Sequence, residues 1–284
     1  MYISVTLEVI NMNELYSICW NITNKCNENC KFCYRKICDD NSLEENKKIF
    51  DNISKIKIDK ITFSGGEPLL YEDLFKLGDY IKSKNPEIKL SLTTNGQMIN
   101  DDLFNKIINT FDWISFSIDS SNTNVNDEIG RGKNHLEKIV SLLDKFNNKI
   151  KLKINTVANK YNIDDLENIY NIISKYHISR WKIFRFYPLR KGKENEKLFY
   201  LNDSESQLVE DYVTSKQKHD SKIKIHYNNL NEFTTSYFNI YPDGSIENSK
   251  DEDIGNLLYD DILNILKIKK NDLINHNLRK NNEL

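Results

Sequence analysis

Cysteine is missing from all of the chain beyond residue 38: of 284 residues, only Cys19, Cys26, Cys30, Cys33 and Cys38 carry thiols. A disulfide framework spreads its pairs through a fold, so this confinement excludes one and marks the thiols as a local device in a reducing compartment. Long hydrophobic runs are missing too. No stretch of about 18 apolar residues exists to span a bilayer. The opening MYISVTLEVI has no basic n-region and places Glu8 inside its one apolar stretch, unlike a secretory signal. Nor is there an excess of charge of one sign: 40 Lys and Arg stand against 42 Asp and Glu, a formal net charge of −2. The molecule as a whole therefore lacks the electropositive footprint of a dedicated nucleic-acid binder, and any anion site must be local. What is present, 39% hydrophobic and 11% aromatic residues with 29% charged, is too apolar for a disordered chain and too polar for a membrane protein. The expectation is a soluble cytoplasmic protein that engages neither membrane nor nucleic acid.

Short β-branched runs recur at 17–23, 60–64, 89–93, 113–119, 151–157 and 180–186. Amphipathic stretches lie between them, at Leu43–Ile56, Leu74–Lys82, Asp102–Ile108, His135–Phe146 and Leu166–Ile173. A spacing of roughly 25–40 residues is the length of a βα unit. Six such units predict an α/β fold with parallel strands, a barrel or a barrel left partly open. After Phe186 the texture changes to a charged loop at 190–197, a helix near Ser204–Lys216 and a hairpin around Pro242-Asp243-Gly244. The expected division is a barrel over residues 1–190 and a C-terminal extension over 191–284 that caps it.

Alternate residues of a strand face opposite sides. Ile61, Phe63, Leu90, Leu92, Ile114, Phe116, Leu152, Ile154, Trp181 and Ile183 share one parity and are set to pack under helices. The other parity is polar, with Ser91, Ser115, Ser117, Asp119, Lys153, Asn155, Arg180 and Lys182. An ordinary closed barrel fills its centre with branched apolar side chains, so a lumen of hydroxyls and cations suits a chamber for a polar ligand. An antiparallel sheet with one wet face gives the same alternation. Burying Lys153, Arg180 and Lys182 is costly unless an anion neutralises them; at strand mouths in water they would need none.

Directly after the first strand, Cys26, Cys30 and Cys33 are spaced by three and then two residues. Three thiolates in one tight loop hold three corners of a [4Fe–4S] cube and leave the fourth iron open. A structural zinc would want a fourth ligand, for which Cys38 is the nearby thiol. Cys19, on a strand, reads as a small wall residue and Cys38 as incidental. Ser64-Gly65-Gly66-Glu67-Pro68 closes the second strand. Its two glycines let the backbone approach a ligand, Pro68 stiffens the exit, and Glu67 offers an acceptor for an ammonium group. The histidines, His135, His177, His219, His226 and His276, are scattered and read as surface residues rather than ligands.

In type, order and spacing the two motifs resemble those of the radical S-adenosylmethionine (SAM) superfamily. The resemblance implies a partial (β/α)6 barrel in which Cys26, Cys30 and Cys33 bind a [4Fe–4S] cluster whose open iron chelates the methionine part of SAM. It implies that Phe32 lies against the adenine and that Gly65, Gly66 and Glu67 receive the methionine amine. An injected electron then splits SAM into methionine and a 5′-deoxyadenosyl radical that abstracts hydrogen.

From about residue 17 to 267 the chain is also similar to the viperins. The matching stretches are Ile61–Pro68, Ser117–Ser120, Ile129–Gly132 with Asn134-His135, Lys153–Asn155, Asn159–Asn162, Arg180–Phe184 and Ser236-Tyr237. This resemblance implies conversion of a ribonucleoside triphosphate to its 3′-deoxy-3′,4′-didehydro form, a chain terminator for viral polymerases, by 4′-hydrogen abstraction and dehydration. It places SAM on Ser117 and Arg131 and the triphosphate on Lys153, Arg180 and Lys182, with Asn155 beside them. It also calls for a reductant protein such as a flavodoxin or ferredoxin. Where animal viperins have an Asn-aromatic-His run, this chain has Cys19-Trp20-Asn21, and its tail turn is Pro242-Asp243-Gly244. Both regions bear on the choice of base, which stays open, and the animal membrane helix is not carried over.

Two other readings compete. Radical SAM peptide maturases and molybdopterin-type cyclases usually carry further cysteines in a C-terminal extension, and none follows Cys38 here. A non-catalytic zinc-binding protein would hold zinc, not iron and sulfide.

Overall fold

A computed structural model describes residues 16–220, 222–229, 238–248 and 251–268. The six predicted strands are β1 (Tyr16–Thr23), β2 (Ile58–Gly65), β3 (Lys89–Thr94), β4 (Trp113–Ser117), β5 (Lys151–Ala158) and β6 (Ile178–Arg185). Between them run α1 (Leu43–Ile53), α2 (Leu74–Lys84), α3 (Asp101–Thr110), α4 (Thr123–Glu128), α5 (His135–Phe146) and α6 (Leu166–Ile173). Local chemistry fixes where the helices begin. At α1, Ser42 and Glu45 form a reciprocal capping box, which satisfies two otherwise orphaned N–H groups.

The remaining elements are α7 (Lys191–Glu194), α8 (Glu196–Phe199), α9 (Asp203–His219), β7 (Lys224–Asn228), β8 (Phe238–Ile240), β9 (Ser245–Glu247), β10 (Asp253–Asn256) and α10 (Ile262–Ile268). The charged stretch 190–197 is thus largely two short helices rather than a loop. Within it, Lys191 and the Asn195 amide are turned back onto the loop after β1.

One sheet holds all the described strands, in the order β10-β9-β8-β1-β2-β3-β4-β5-β6-β7. From β1 to β7 every pairing is parallel, which excludes the antiparallel explanation of the alternating pattern. β8 adds parallel to β1, and β9 and β10 follow antiparallel. The edges β10 and β7 do not pair with each other, so the barrel stays open. The C-terminal residues therefore add strands at both edges.

The parity argument holds on both faces. Ile61, Phe63, Leu90, Leu92, Ile114, Phe116, Leu152, Ile154, Trp181 and Ile183 are all fully buried in the main core. On the inner face, register aligns Ser115 with Lys153 and Lys153 with Arg180. The next row aligns Ser117, Asn155, Lys182 and His226. No helix among the described residues is long and apolar enough to cross a membrane.

Because Ile154 faces outward on β5 with no exposure, Ile154→Ala should cost about 2–5 kcal/mol. Urea unfolding of the cluster-free protein measures it, and an unchanged midpoint would contradict this placement.

Candidate active site

Residues 24–42 form neither helix nor strand, so their backbone polar groups must find partners elsewhere. Asp40 accepts from the Thr23 hydroxyl at 2.5 Å and from Asn24 N at 2.8 Å, closing the base of the loop. On the β2 side, Gly66 N donates to Thr23 O and Glu67 N to Lys25 O, both at 2.7 Å. From β3, Asn95 Nδ2 donates to Asn27 Oδ1 at 2.7 Å. Lys31 N donates to Ile129 O at 2.9 Å, and Gly192 N to Cys33 O at 3.1 Å. Phe32 and Cys30 pack with Ile129, Phe186 and Phe199 in a small second core.

Gly65, the last residue of β2, and Gly66 after it are needed for a close approach within the chain itself. A Cβ on Gly66 would stand 2.1 Å from Lys25 O, and one on Gly65 2.5 Å from Thr23 O. They let β2 lie against the start of the thiol loop. The Glu67 carboxylate accepts from Thr94 Oγ1 at 2.7 Å, Asn95 N at 2.8 Å and Leu69 N at 3.2 Å. Burial pushes its pKa up to about 7, against the pull of these three donors. Its side chain ties β2 to β3.

Glu28, which sequence reasoning passed over as a spacer between thiols, is a buried anchor. Its Oε2 accepts from Arg131 Nη1 at 2.7 Å, and its Oε1 lies 3.1 Å from His135 Nδ1. Arg131 Nε also donates to Asp119 Oδ2 at 2.8 Å, and the guanidinium lies 5.3 Å from the Phe32 ring centre. His135 Nε2 faces the carbonyl of Ser117 at 2.8 Å. One network therefore joins the thiol loop to β4 and to the 129–135 segment. Burial alone would raise the Glu28 pKa, but His135 and Arg131 outweigh it and hold the carboxyl below its usual range.

The reading of the histidines as surface residues needs correcting. His135 is buried, because it is the imidazole that bridges Glu28 and Ser117. His226 is half-buried on the inner row opposite Lys182, while His177 and His219 are exposed and His276 lies outside the described residues. Ser236-Tyr237 lie outside them as well.

The lumen carries the expected polar lining. Lys182 is buried, and Lys153, Asn155 and Arg180 are half-buried on the same face. Ser115 Oγ and Asn155 Oδ1 are buried there without a hydrogen-bond partner among the described residues. Cys19 faces this charge: burial pushes its thiol up to about 11, with Lys153 and Lys182 pulling the other way. Cys38 lies apart, near Asp243 and Lys36.

Cys26, Cys30 and Cys33 are free thiols on one loop. Among the described residues no three His, Cys, Asp or Glu side chains are grouped around a single ion position. The donor set nevertheless fits an iron–sulfur cluster, being three closely spaced soft ligands with the fourth thiol of the loop, Cys38, set apart beside Asp243. Burial pushes Cys30 up to about 12, so loading must remove its proton.

An open parallel α/β barrel with three free thiols after its first strand and a polar lumen is the architecture of an iron–sulfur enzyme. A family model described as the Radical SAM superfamily matches residues 20–173. The chain belongs to that superfamily, whose cofactors are SAM and a [4Fe–4S] cluster. It is 29% identical over 266 residues to the S-adenosylmethionine-dependent nucleotide dehydratase of Flammeovirga pacifica, covering 88% of this chain and 87% of that one. It is 32% identical over 180 residues to the S-adenosylmethionine-dependent nucleotide dehydratase RSAD2 of Oncorhynchus mykiss, covering 60% of this chain and about half, 51%, of the relative. In fold it is similar to Streptococcus suis SuiB bound to S-adenosylmethionine, with a TM-score of 0.74 at 16% identity over 89% of this chain and 67% of that one.

Removing one partner of a buried pair leaves an uncompensated charge, so Glu28→Ala should destabilise the cluster-free protein by about 3 kcal/mol. The depressed pKa of Glu28 means that its contribution is present above the ordinary value of 4.5 and lost as pH falls below it. Urea unfolding at pH 7 and pH 3.5 reads this directly: the gap between wild type and variant should narrow in acid. A constant gap would show that the ion pair is not its source.

Proposed function

We propose that this chain is a SAM-dependent nucleotide dehydratase of viperin type. It acts in the cytoplasm on a ribonucleoside triphosphate and yields the 3′-deoxy-3′,4′-didehydro nucleotide. The observation that carries this reading is the lumen, where Lys153, Arg180 and Lys182 stand in register beside buried, unpartnered Ser115 Oγ and Asn155 Oδ1. The two unpartnered oxygens call for a ligand with donors of its own, and three cations on the same face favour one that is anionic. The names of the curated relatives support the choice of a nucleotide.

Cys26, Cys30 and Cys33 would hold the cluster, with SAM on the backbone of Gly65, Gly66 and Glu67, beside Phe32. When bound, these cofactors supply a hydrogen-abstracting 5′-deoxyadenosyl radical. Arg131 gives Nε to Asp119 and Nη1 to Glu28, which leaves its second terminal nitrogen for SAM together with Ser117. Lys153, Arg180 and Lys182 would grip the triphosphate, with Asn155 at the sugar side, so that binding energy remote from the reacting carbon fixes its position. Residues 1–190 act as the catalytic barrel, and 191–284 as the extension that caps it. Taking away the 4′-hydrogen and discharging the 3′-hydroxyl as water needs an electron beyond the one that splits SAM. A reductant protein such as a flavodoxin or ferredoxin fits that need.

Triphosphate deuterated at C4′ tests this reading. Mass spectrometry should find deuterium in 5′-deoxyadenosine and a nucleotide product lighter by water. Deuterium retained in the nucleotide would overturn the assigned carbon, and no nucleotide product from any common triphosphate would overturn the function.

A further inference from the structure

We infer that the outer side of the thiol loop, with α7 beside it, is the docking face for an acidic one-electron carrier protein. The inference deepens the functional reading above and rests on it, since that reading needs a reductant protein and leaves its docking place open. All five thiols lie within residues 19–38, so the chain has no second set of cysteines from which a further cluster could pass electrons inward. Electron transfer weakens steeply with distance, so a carrier has to dock against the loop that bears Cys26, Cys30 and Cys33. That loop is itself protein surface: Cys26 and Cys33 are only half-buried, and Lys25, Asn27 and Asn29 are exposed.

The charge of this surface has one sign. Residues 24–38 carry Lys25, Lys31, Arg35 and Lys36 against a single carboxylate, Glu28. Glu28 is turned inward and matched by Arg131, so it offers nothing to an approaching partner. Lys36 is held by Glu247 and Asp253. Lys25 is exposed and Lys31 half-buried, and no carboxylate among the described residues pairs with either. The α7 segment lies along the same stretch, where Lys191 Nζ donates to Asn29 O at 3.0 Å and Asn195 Nδ2 to Lys31 O at 3.0 Å. Lys191 thereby adds its charge to that of Lys31. The whole chain has a formal charge of −2, so this positive patch is local and selects a partner locally.

The apolar part completes the face. Directly after Cys33, Tyr34 is 37% and Ile37 72% exposed. A lone exposed apolar side chain is ordinary, but two within four residues, beside unpaired lysines, form an apolar centre with a charged rim. Electron-transfer encounters are small and transient, below about 1,200 Å² of buried surface, which suits a carrier that must leave after delivering one electron. Charge complementarity speeds such encounters and makes them sensitive to salt.

Two measurements on the cluster-loaded enzyme test this together: equilibrium binding of flavodoxin, and 5′-deoxyadenosine formation driven either by reduced flavodoxin or by dithionite. Wild type should bind flavodoxin, several-fold more weakly as salt rises from about 50 to 300 mM. Lys31→Glu and Ile37→Asp should each weaken that binding and lower the flavodoxin-driven rate roughly five- to twentyfold at subsaturating carrier. Their iron content and dithionite-driven rate should match wild type. Lys84→Glu, at the last residue of α2 and so at the barrel end opposite the loops that follow the strands, should change nothing. The docking face is overturned if both variants keep the flavodoxin-driven rate, or if both lose the two rates alike, because the loop and not the docking would then be damaged. It is equally overturned if wild type does not bind flavodoxin, including the case in which a short single-stranded RNA binds there in its place. Selective loss of the flavodoxin-driven rate, with no product from any triphosphate, would overturn the nucleotide reading and leave the docking face standing.

Discussion

The loop after β1 has to hold three thiols in a fixed place without any regular structure of its own, and much of the barrel mouth is organised around that demand. An irregular segment cannot satisfy its backbone internally, and each buried N–H or C=O left unpaired costs free energy comparable to a lost hydrogen bond. Here the partners come from β2 through Gly66 and Glu67, from β3 through Asn95, from Ile129 and from Gly192. The glycines after β2 are the price of bringing two backbones that close. The same contacts explain why Cys30 and Phe32 sit in a small core of their own, separate from the one beneath the helices.

Charge is paired in two clusters that flank the barrel mouth. Glu28, Arg131, Asp119 and His135 satisfy one another under the thiol loop, and Glu247 does the same for Lys36 and Arg190 at the C-terminal hairpin. A buried pair of this kind adds little net stability, but it is costly to break and so fixes geometry. Inside the barrel the inner rows of β5 and β6 bring Lys153, Asn155, Arg180 and Lys182 to one face.

The helix and strand pattern was legible because it is local. Alternation and the βα period are written within windows of a few residues, and Ile61, Ile114 and Trp181 lie where parity puts them. The thiol loop and the Gly-Gly-Glu-Pro turn were legible by type and spacing, and both lie where they were expected. What escaped were contacts between distant parts of the chain. Glu28 meets Arg131 and His135 across more than a hundred residues, and nothing near it in sequence marks it as buried. His135 looked like an ordinary surface histidine for the same reason. The charged run at 190–197 hid two short helices, since Lys191 and Asn195 bond to the distant thiol loop.

The central claim is that this loop is built to carry an iron–sulfur cluster on Cys26, Cys30 and Cys33 alone. Iron and sulfide content after anaerobic isolation, measured on wild type and on five single Cys→Ala variants, tests it most directly. The account predicts about four irons per wild-type chain, loss of the cluster at positions 26, 30 and 33, and near wild-type content at positions 19 and 38. Zinc in place of iron, or loss of the cluster in Cys38→Ala, would contradict it.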